Sequence, residues 1–247
     1  MTDWDRFFDE QYLRTYAPRQ RDVESAAEAL AAVALARCPA GGDVLDCPCG
    51  YGRHSLPLAE TGYRVIGADR SETMLAEAGK RAGEGDWPRW VRADYRNLPF
   101  GDAGFDCVLN LFTSIGYHGE EGDRAALAEF RRVLRPGGAL VLETMHRDRL
   151  ARIFHPRRWD PLPDGALLVE EGRFDLVSGT NEVEHTYVTR DGARDTFSYR
   201  WRAYTVTELD AMLREAGFAE VEHFGGFERD PLTWDSRLVA LASTEPA

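Results

Sequence analysis

From Gly41 onward the chain alternates between two patterns of apolar and polar positions. Short, nearly unbroken apolar runs at Val44–Cys47, Arg64–Ala68, Trp90–Ala93, Phe105–Leu111 and Ala139–Thr144 read as strands. Between them, stretches around 55–61, 71–82 and 123–134 bring apolar residues back every three or four positions, the spacing of a helix with one buried face. Leu127, Phe130, Val133 and Leu134 fall on one such face. Strands separated by helices predict a parallel sheet covered on both sides, a doubly wound α/β fold.

The helix ends carry their own signals. Ser71 stands as N-cap before ETMLAEAGKRA, Asp123 takes the same place before RAALAEFRRVL, and RPGG stops the second helix.

The rhythm breaks over 147–203. Ala166–Val177, Glu182–Arg190 and Asp195–Tyr204 are strand-like runs with no helix between them, the last two joined by the hairpin turn Asp191-Gly192. Phe197, Tyr199 and Trp201 alternate with Ser198, Arg200 and Arg202, so one face is aromatic. This pattern predicts an antiparallel β-sheet inserted after the fifth strand. Thr205 and Glu208 then form a capping box for a helix carrying Leu209, Met212 and Leu213, closed by Gly217. Ala219–Phe224 and Arg237–Ala242 complete seven core strands. The expected division is a helical segment at 1–40, a binding core at 41–146, the inserted sheet at 147–204, and a closing helix with two strands at 205–247.

Composition narrows the partners. Hydrophobic residues make up 43% of the 247 and aromatic residues 11%, enough for a real core, while the net charge of −12 disfavours nucleic acid. No run approaches the roughly 20 apolar residues a bilayer span needs. MTDWDRFFDEQYLRTY is charged and aromatic, unlike a cleavable signal, so a soluble, cytoplasmic chain with no membrane partner is expected. Lys80 is the only lysine and is followed by Arg81, which excludes a GK[ST] phosphate loop. Cys38, Cys47, Cys49 and Cys107 form no CxxC pair, and no metal site is expected.

Candidate chemistry begins at VLDCPCGYGRHS, where a strand, a G-x-G turn and a helix place bare backbone N–H groups beside a ligand. A dinucleotide turn needs a third glycine, and Ser55 stands near that place. Asp69 in VIGADRS lies 23 residues after Asp46 at the tip of the second strand, and Asp94 in VRADYRNLPF ends the third. Three acids at one carboxyl edge suit a cation-bearing nucleoside better than a diphosphate.

These segments, with FDCVLNLFTSIGY and RVLRPGGALVLE, resemble the class I S-adenosylmethionine-dependent methyltransferases over roughly 41–146. The resemblance implies a seven-stranded, mostly parallel Rossmann-like sheet, S-adenosyl-L-methionine as cofactor, and methyl transfer to an oxygen or nitrogen of a small-molecule acceptor. It implies that Asp46, Gly50 and Gly52, with Cys47, Pro48 and Cys49 between them, flank the methionine moiety. Asp69 would take the ribose hydroxyls, Arg70 and Met74 the adenine pocket, and Asp94 the adenine amino group, with Tyr95 beside it. Asn110, Leu111 and Phe112 would close the site. Pro48 departs from the family's usual glycine and has no N–H to offer.

In FFDEQYLRTYAPR, Tyr12 and Tyr16 are candidates for a lid over the cofactor, the alternative being a helix that packs Phe7, Phe8 and Tyr12 on the core. Candidate bases are His118, His146 and Tyr117, which follow strand ends at the binding edge, while His185 and Tyr187 could enter from the inserted sheet. That sheet carries ten Arg against ten acidic residues over 147–203 and is expected to recognise the acceptor or to form a homodimer contact. Two other functions fit the turn less well: an NAD-dependent oxidoreductase, and a catalytically silent cofactor-binding module acting through a protein partner.

Overall fold

A computed structural model of the chain describes residues 7–246; the first six residues of the segment read as 1–40 lie outside the described residues. After short helical turns at Phe7–Gln11, Tyr12–Thr15 and Ala17–Arg19 come α1 (Asp22–Leu35), β1 (Asp43–Asp46), α2 (Ser55–Glu60), β2 (Arg64–Asp69), α3 (Glu72–Arg81), β3 (Arg89–Arg92) and β4 (Phe105–Asn110). They are followed by α4 (Gly119–Val133), β5 (Leu134–Thr144), α5 (Arg147–Ile153), β6 (Arg157–Pro161), β7 (Leu167–Asp175), β8 (Thr180–Val188) and β9 (Arg194–Arg202). The chain closes with α6 (Val206–Glu215), β10 (Glu220–Phe224) and β11 (Leu238–Ser243).

Seven strands form one sheet in the order β10-β11-β5-β4-β1-β2-β3. β1 to β5 run parallel, and β11 is antiparallel to both β5 and β10. One face packs Leu45, Val108 and Leu140 against Phe130 of α4 and Leu209 and Leu213 of α6; the other packs Val44, Val65 and Leu109 against Ala29 and Val33 of α1 and Leu58 of α2. Burial on both faces is why these strands read as apolar runs. The carboxyl ends of β1, β2, β3 and β4 therefore meet at one edge.

The inserted sheet has four antiparallel strands, β6 to β9, one more than the sequence pattern predicts. The additional edge strand, Arg-Arg-Trp-Asp-Pro, is charged and mostly exposed, so it lacks an apolar signature. Phe197 and Trp201 of the aromatic face are buried. The insert is tied to the core where Arg202 donates its N–H to the Gly116 carbonyl at 2.8 Å. Gly116 has φ +108, and a Cβ there would lie 2.3 Å from the Arg202 carbonyl oxygen, so only glycine fits.

Of the three expected helix caps, two are present. Ser71 caps α3 by accepting the Met74 N–H, and Thr205 with Glu208 makes the capping box of α6. Asp123 is not an N-cap: α4 begins a turn earlier, and Asp123 lies buried inside it, accepting the Tyr204 hydroxyl at 2.6 Å and the Gly116 N–H at 3.1 Å. Burial pushes its carboxyl up, against those hydrogen bonds. A carboxylate that looks like a cap thus pins the insert and the loop before α4 together.

Candidate active site

A cavity of about 280 Å³ opens between the carboxyl edge of the large sheet, the N-terminal turns and the inner face of the inserted sheet. Its floor is the turn after β1, with Cys47, Pro48, Cys49, Gly50 and Tyr51 in the wall. The tips of β2 and β3 add Asp69, Arg70, Met74, Asp94 and Tyr95, and the end of β4 adds Leu111 and Phe112. Tyr12 and Tyr16 cover it, and Tyr117 and His118 stand at one side.

Asp69 is the most constrained of these. Its Oδ2 accepts the Gly50 N–H and its Oδ1 the Ser71 N–H, both at 2.8 Å. Burial pushes its carboxyl up to about 6 in spite of those donors. The Arg70 N–H also bonds this carboxyl, and a carboxylate has about four lone-pair sites, so the three backbone donors do not exhaust it. Asp94 is instead held down to about 2 by the Arg96 guanidinium, which lies 2.5 Å from its Oδ2. Burial pushes the Cys47 and Cys49 thiols well up, and nearby Asp69 and Asp46 push the same way.

Four candidates lie outside the wall. Asp46 is buried beneath it and accepts the Ser55 hydroxyl at 2.6 Å. Gly52 turns away from the cavity at φ +79, and a Cβ on it would begin 2.5 Å from the Trp90 ring of β3. Asn110 is fully buried, donates to the Cys47 carbonyl at 2.9 Å, and so braces the turn from behind. His146 is the N-cap of α5, its Nδ1 accepting the Arg149 N–H at 3.4 Å; it is buried away from the cavity.

The remaining bases sort by chemistry. Burial pushes the Tyr117 phenol far up, so it stays protonated. His118 lines the cavity with its ring edge-on to Tyr95, centroids 5.0 Å apart. His185 is buried behind the aromatic wall against Glu170, 2.8 Å away, and Tyr187 turns to Arg14 and Asp164.

Several wall residues carried no sequence signal of their own. Arg53 and His54 follow the glycine turn and meet Glu28 of α1 at 2.8 and 3.3 Å. Burial works to raise Glu28, but hydrogen bonds from His54 and Arg53 prevail and hold it at about 2. Arg237, from the segment before β11, is another such wall residue, while Tyr199 and Trp201 enter from the aromatic face of β9 that the alternation in the sequence marks. In the N-terminal turns Tyr12 and Tyr16 line the cavity, while Phe7 is buried and stacks on Tyr199 at 4.2 Å. Phe7 packs on the inserted sheet, not on the large one. Gln20 links the cover to the floor, accepting from the Tyr51 hydroxyl at 2.5 Å and donating to the Tyr12 hydroxyl at 3.0 Å.

A family model described as a methyltransferase domain matches residues 44–138. The demethylmenaquinone methyltransferase of Clavibacter sepedonicus is 38% identical over 187 residues, 74% of this chain and 68% of that one. The chain belongs to the class I S-adenosylmethionine-dependent methyltransferases.

As a member of that family it is an enzyme of the large-sheet type just described, with S-adenosyl-L-methionine as cofactor. It is also 33% identical to the glycine/sarcosine N-methyltransferase of Parasynechococcus marenigrum over 201 residues, 76% of this chain and 66% of that one. The CcbJ methyltransferase of Streptomyces caelestis superposes with a TM-score of 0.79 at 26% identity, covering 92% of this chain and 93% of that one. Among the described residues no helix is long and apolar enough to cross a membrane, and no cluster of three or more His, Cys, Asp or Glu could hold a metal.

Proposed function

We propose that this methyltransferase transfers the methyl group to a nitrogen or oxygen of a small acceptor held against Tyr117, His118, Tyr199 and Trp201. The observation that carries this reading is that one cavity joins the acid-tipped strands of the large sheet to the aromatic face of the inserted sheet. When bound, S-adenosylmethionine supplies an electrophilic methyl carbon on a sulfonium, transferred by in-line displacement.

In this reading Asp69 takes the ribose hydroxyls, Arg70 and Met74 border the adenine, and Asp94 and Tyr95 meet its amino edge. Cys47, Pro48, Cys49 and Gly50 lie along the methionine end, Pro48 offering its carbonyl and carbon surface only. Leu111 and Phe112 close that end. Tyr12 and Tyr16 form a lid that excludes water, and the inserted sheet orients the acceptor. Such orientation can supply about 7 to 11 kcal/mol of barrier reduction. His118 accepts the acceptor's proton, a role worth about 10²- to 10⁴-fold where the acceptor is a hydroxyl or a protonated amine.

The test is a panel of amines, phenols and alcohols incubated with the protein and the methyl donor, read by mass spectrometry for a single added methyl. Wild-type turnover that drops about a hundredfold or more in His118→Gln supports the assignment. Methylation at carbon alone, or full turnover by the variant, would remove it.

A further inference from the structure

The charged groups of the cavity are unevenly placed. Asp69, Asp94 and Arg70 cluster at the tips of β2 and β3, and Arg53 and His54 line the wall after the glycine turn, paired with Glu28, the Arg53 guanidinium 4.7 Å from the centre of the Phe112 ring. The half formed by the N-terminal turns and the inserted sheet is Phe7, Phe8, Tyr12, Tyr16, Tyr199 and Trp201, with no acid among them. The remaining charge in the wall is Arg237.

Arg237 is held at one end only. Its Nε lies 2.7 Å from Glu143 Oε1, and its guanidinium stands 4.9 Å from the centre of the Phe112 ring. Glu143 is buried, and its other oxygen accepts the Phe112 N–H at 2.7 Å. The Glu143 carbonyl accepts the next N–H, that of Thr113, at 3.0 Å. Phe112 and Thr113 both have left-handed backbones, φ 62 and 57, which non-glycine residues keep only where surroundings enforce it. Glu143 thus fixes the turn and pairs with the guanidinium. The Nη1 and Nη2 of Arg237 have no hydrogen-bond partner among the described residues, leaving a planar, pre-oriented fork at the cavity wall.

We infer that Arg237 binds a carboxylate on the methyl acceptor. The proposal rests on the reading of this cavity as the site of methyl transfer and names the acceptor class. A guanidinium fork matches the two oxygens of a carboxylate. Glu143 offsets part of the Arg237 charge, so the fork suits a monoanion better than a dianion such as a phosphate monoester. The aromatic half then faces the acceptor's apolar body, and its nitrogen or oxygen lies between the two.

The experiment titrates the protein, saturated with S-adenosylhomocysteine, with glycine, 4-aminobenzoate and anthranilate and with the carboxamide of each. At least one carboxylate should bind about tenfold or more tightly than its amide. Arg237→Met should abolish that preference and Arg237→Lys should keep part of it, with S-adenosylhomocysteine affinity unchanged in both. Equal binding of acid and amide by the wild type, or an undiminished preference in Arg237→Met, would overturn the inference. So would weakened binding of S-adenosylhomocysteine but not of 5′-methylthioadenosine in Arg237→Met, since the fork would then serve the cofactor's carboxylate. Failure of the wild type to bind S-adenosylhomocysteine would instead undo the cofactor-site reading beneath it.

Discussion

Asp69 accepts the Gly50 N–H at 2.8 Å, so the tip of β2 holds the glycine turn of β1 in place while keeping lone pairs free for a ligand. Replacing Asp69 with Ala removes both functions. S-adenosylhomocysteine affinity should fall about ten- to hundredfold, the equivalent of a charge-assisted contact of about 1.5 to 3 kcal/mol, as read by calorimetric titration.

The same carboxyl sets a pH dependence. Its folded value of about 6 lies above its ordinary 3.8, so folding favours the protonated form. Its contribution to stability is present below pH 4 and is lost as pH rises through 6. Ligand binding has the opposite sign, because ribose hydroxyls donate to the ionised form. S-adenosylhomocysteine affinity should be flat above pH 7 and fall by about tenfold per unit below 6. In Asp69→Asn that slope should vanish.

His118 and His146 should separate cleanly. His146→Ala loses a helix cap and should cost about 1 kcal/mol in urea denaturation while the folded protein retains its turnover. A large loss of turnover at unchanged stability would place His146 in the chemistry after all.

Trp90 occupies the space that side chains on Gly52 and Gly67 would need, a Cβ falling 2.5 and 2.4 Å from its ring. Gly52→Ala combines this clash with a left-handed backbone and should destabilise by about 1 to 3 kcal/mol. Trp90→Leu in the same chain should recover part of that loss, measured as a double-mutant cycle.

Trp201→Ala tests whether the insert recognises the acceptor. Acceptor kcat/KM should fall about tenfold or more, the cost of exposing a large apolar contact, and S-adenosylhomocysteine affinity should hold. Loss of both together would mean that the insert only supports the fold.

Much of the large sheet was legible because strands buried on both faces cannot avoid long apolar runs, as Phe105–Asn110 and the end of β5 show. The acid at the tip of β2 was legible for a related reason: its distance from the glycine turn is set by one strand-helix-strand unit. What escaped was long-range. Asp123 has the local grammar of a cap, yet its partner Tyr204 is 81 residues away. Arg237 belongs to no motif and meets Phe112 only because β11 inserts beside β5. His146 follows a strand end at the right edge, but the start of α5 takes its ring nitrogen. Sequence spacing shows where a chain turns, not which turns meet.

The two thiols on either side of Pro48 have a consequence for the enzyme's own survival. A thiolate beside a sulfonium is a competent methyl acceptor, and Cys47 and Cys49 both border the cavity. Burial and the neighbouring carboxylates keep them as thiols at neutral pH. The floor can thus be sulfur-rich without self-alkylation, and intact protein left with methyl donor and no acceptor should show no gain in mass.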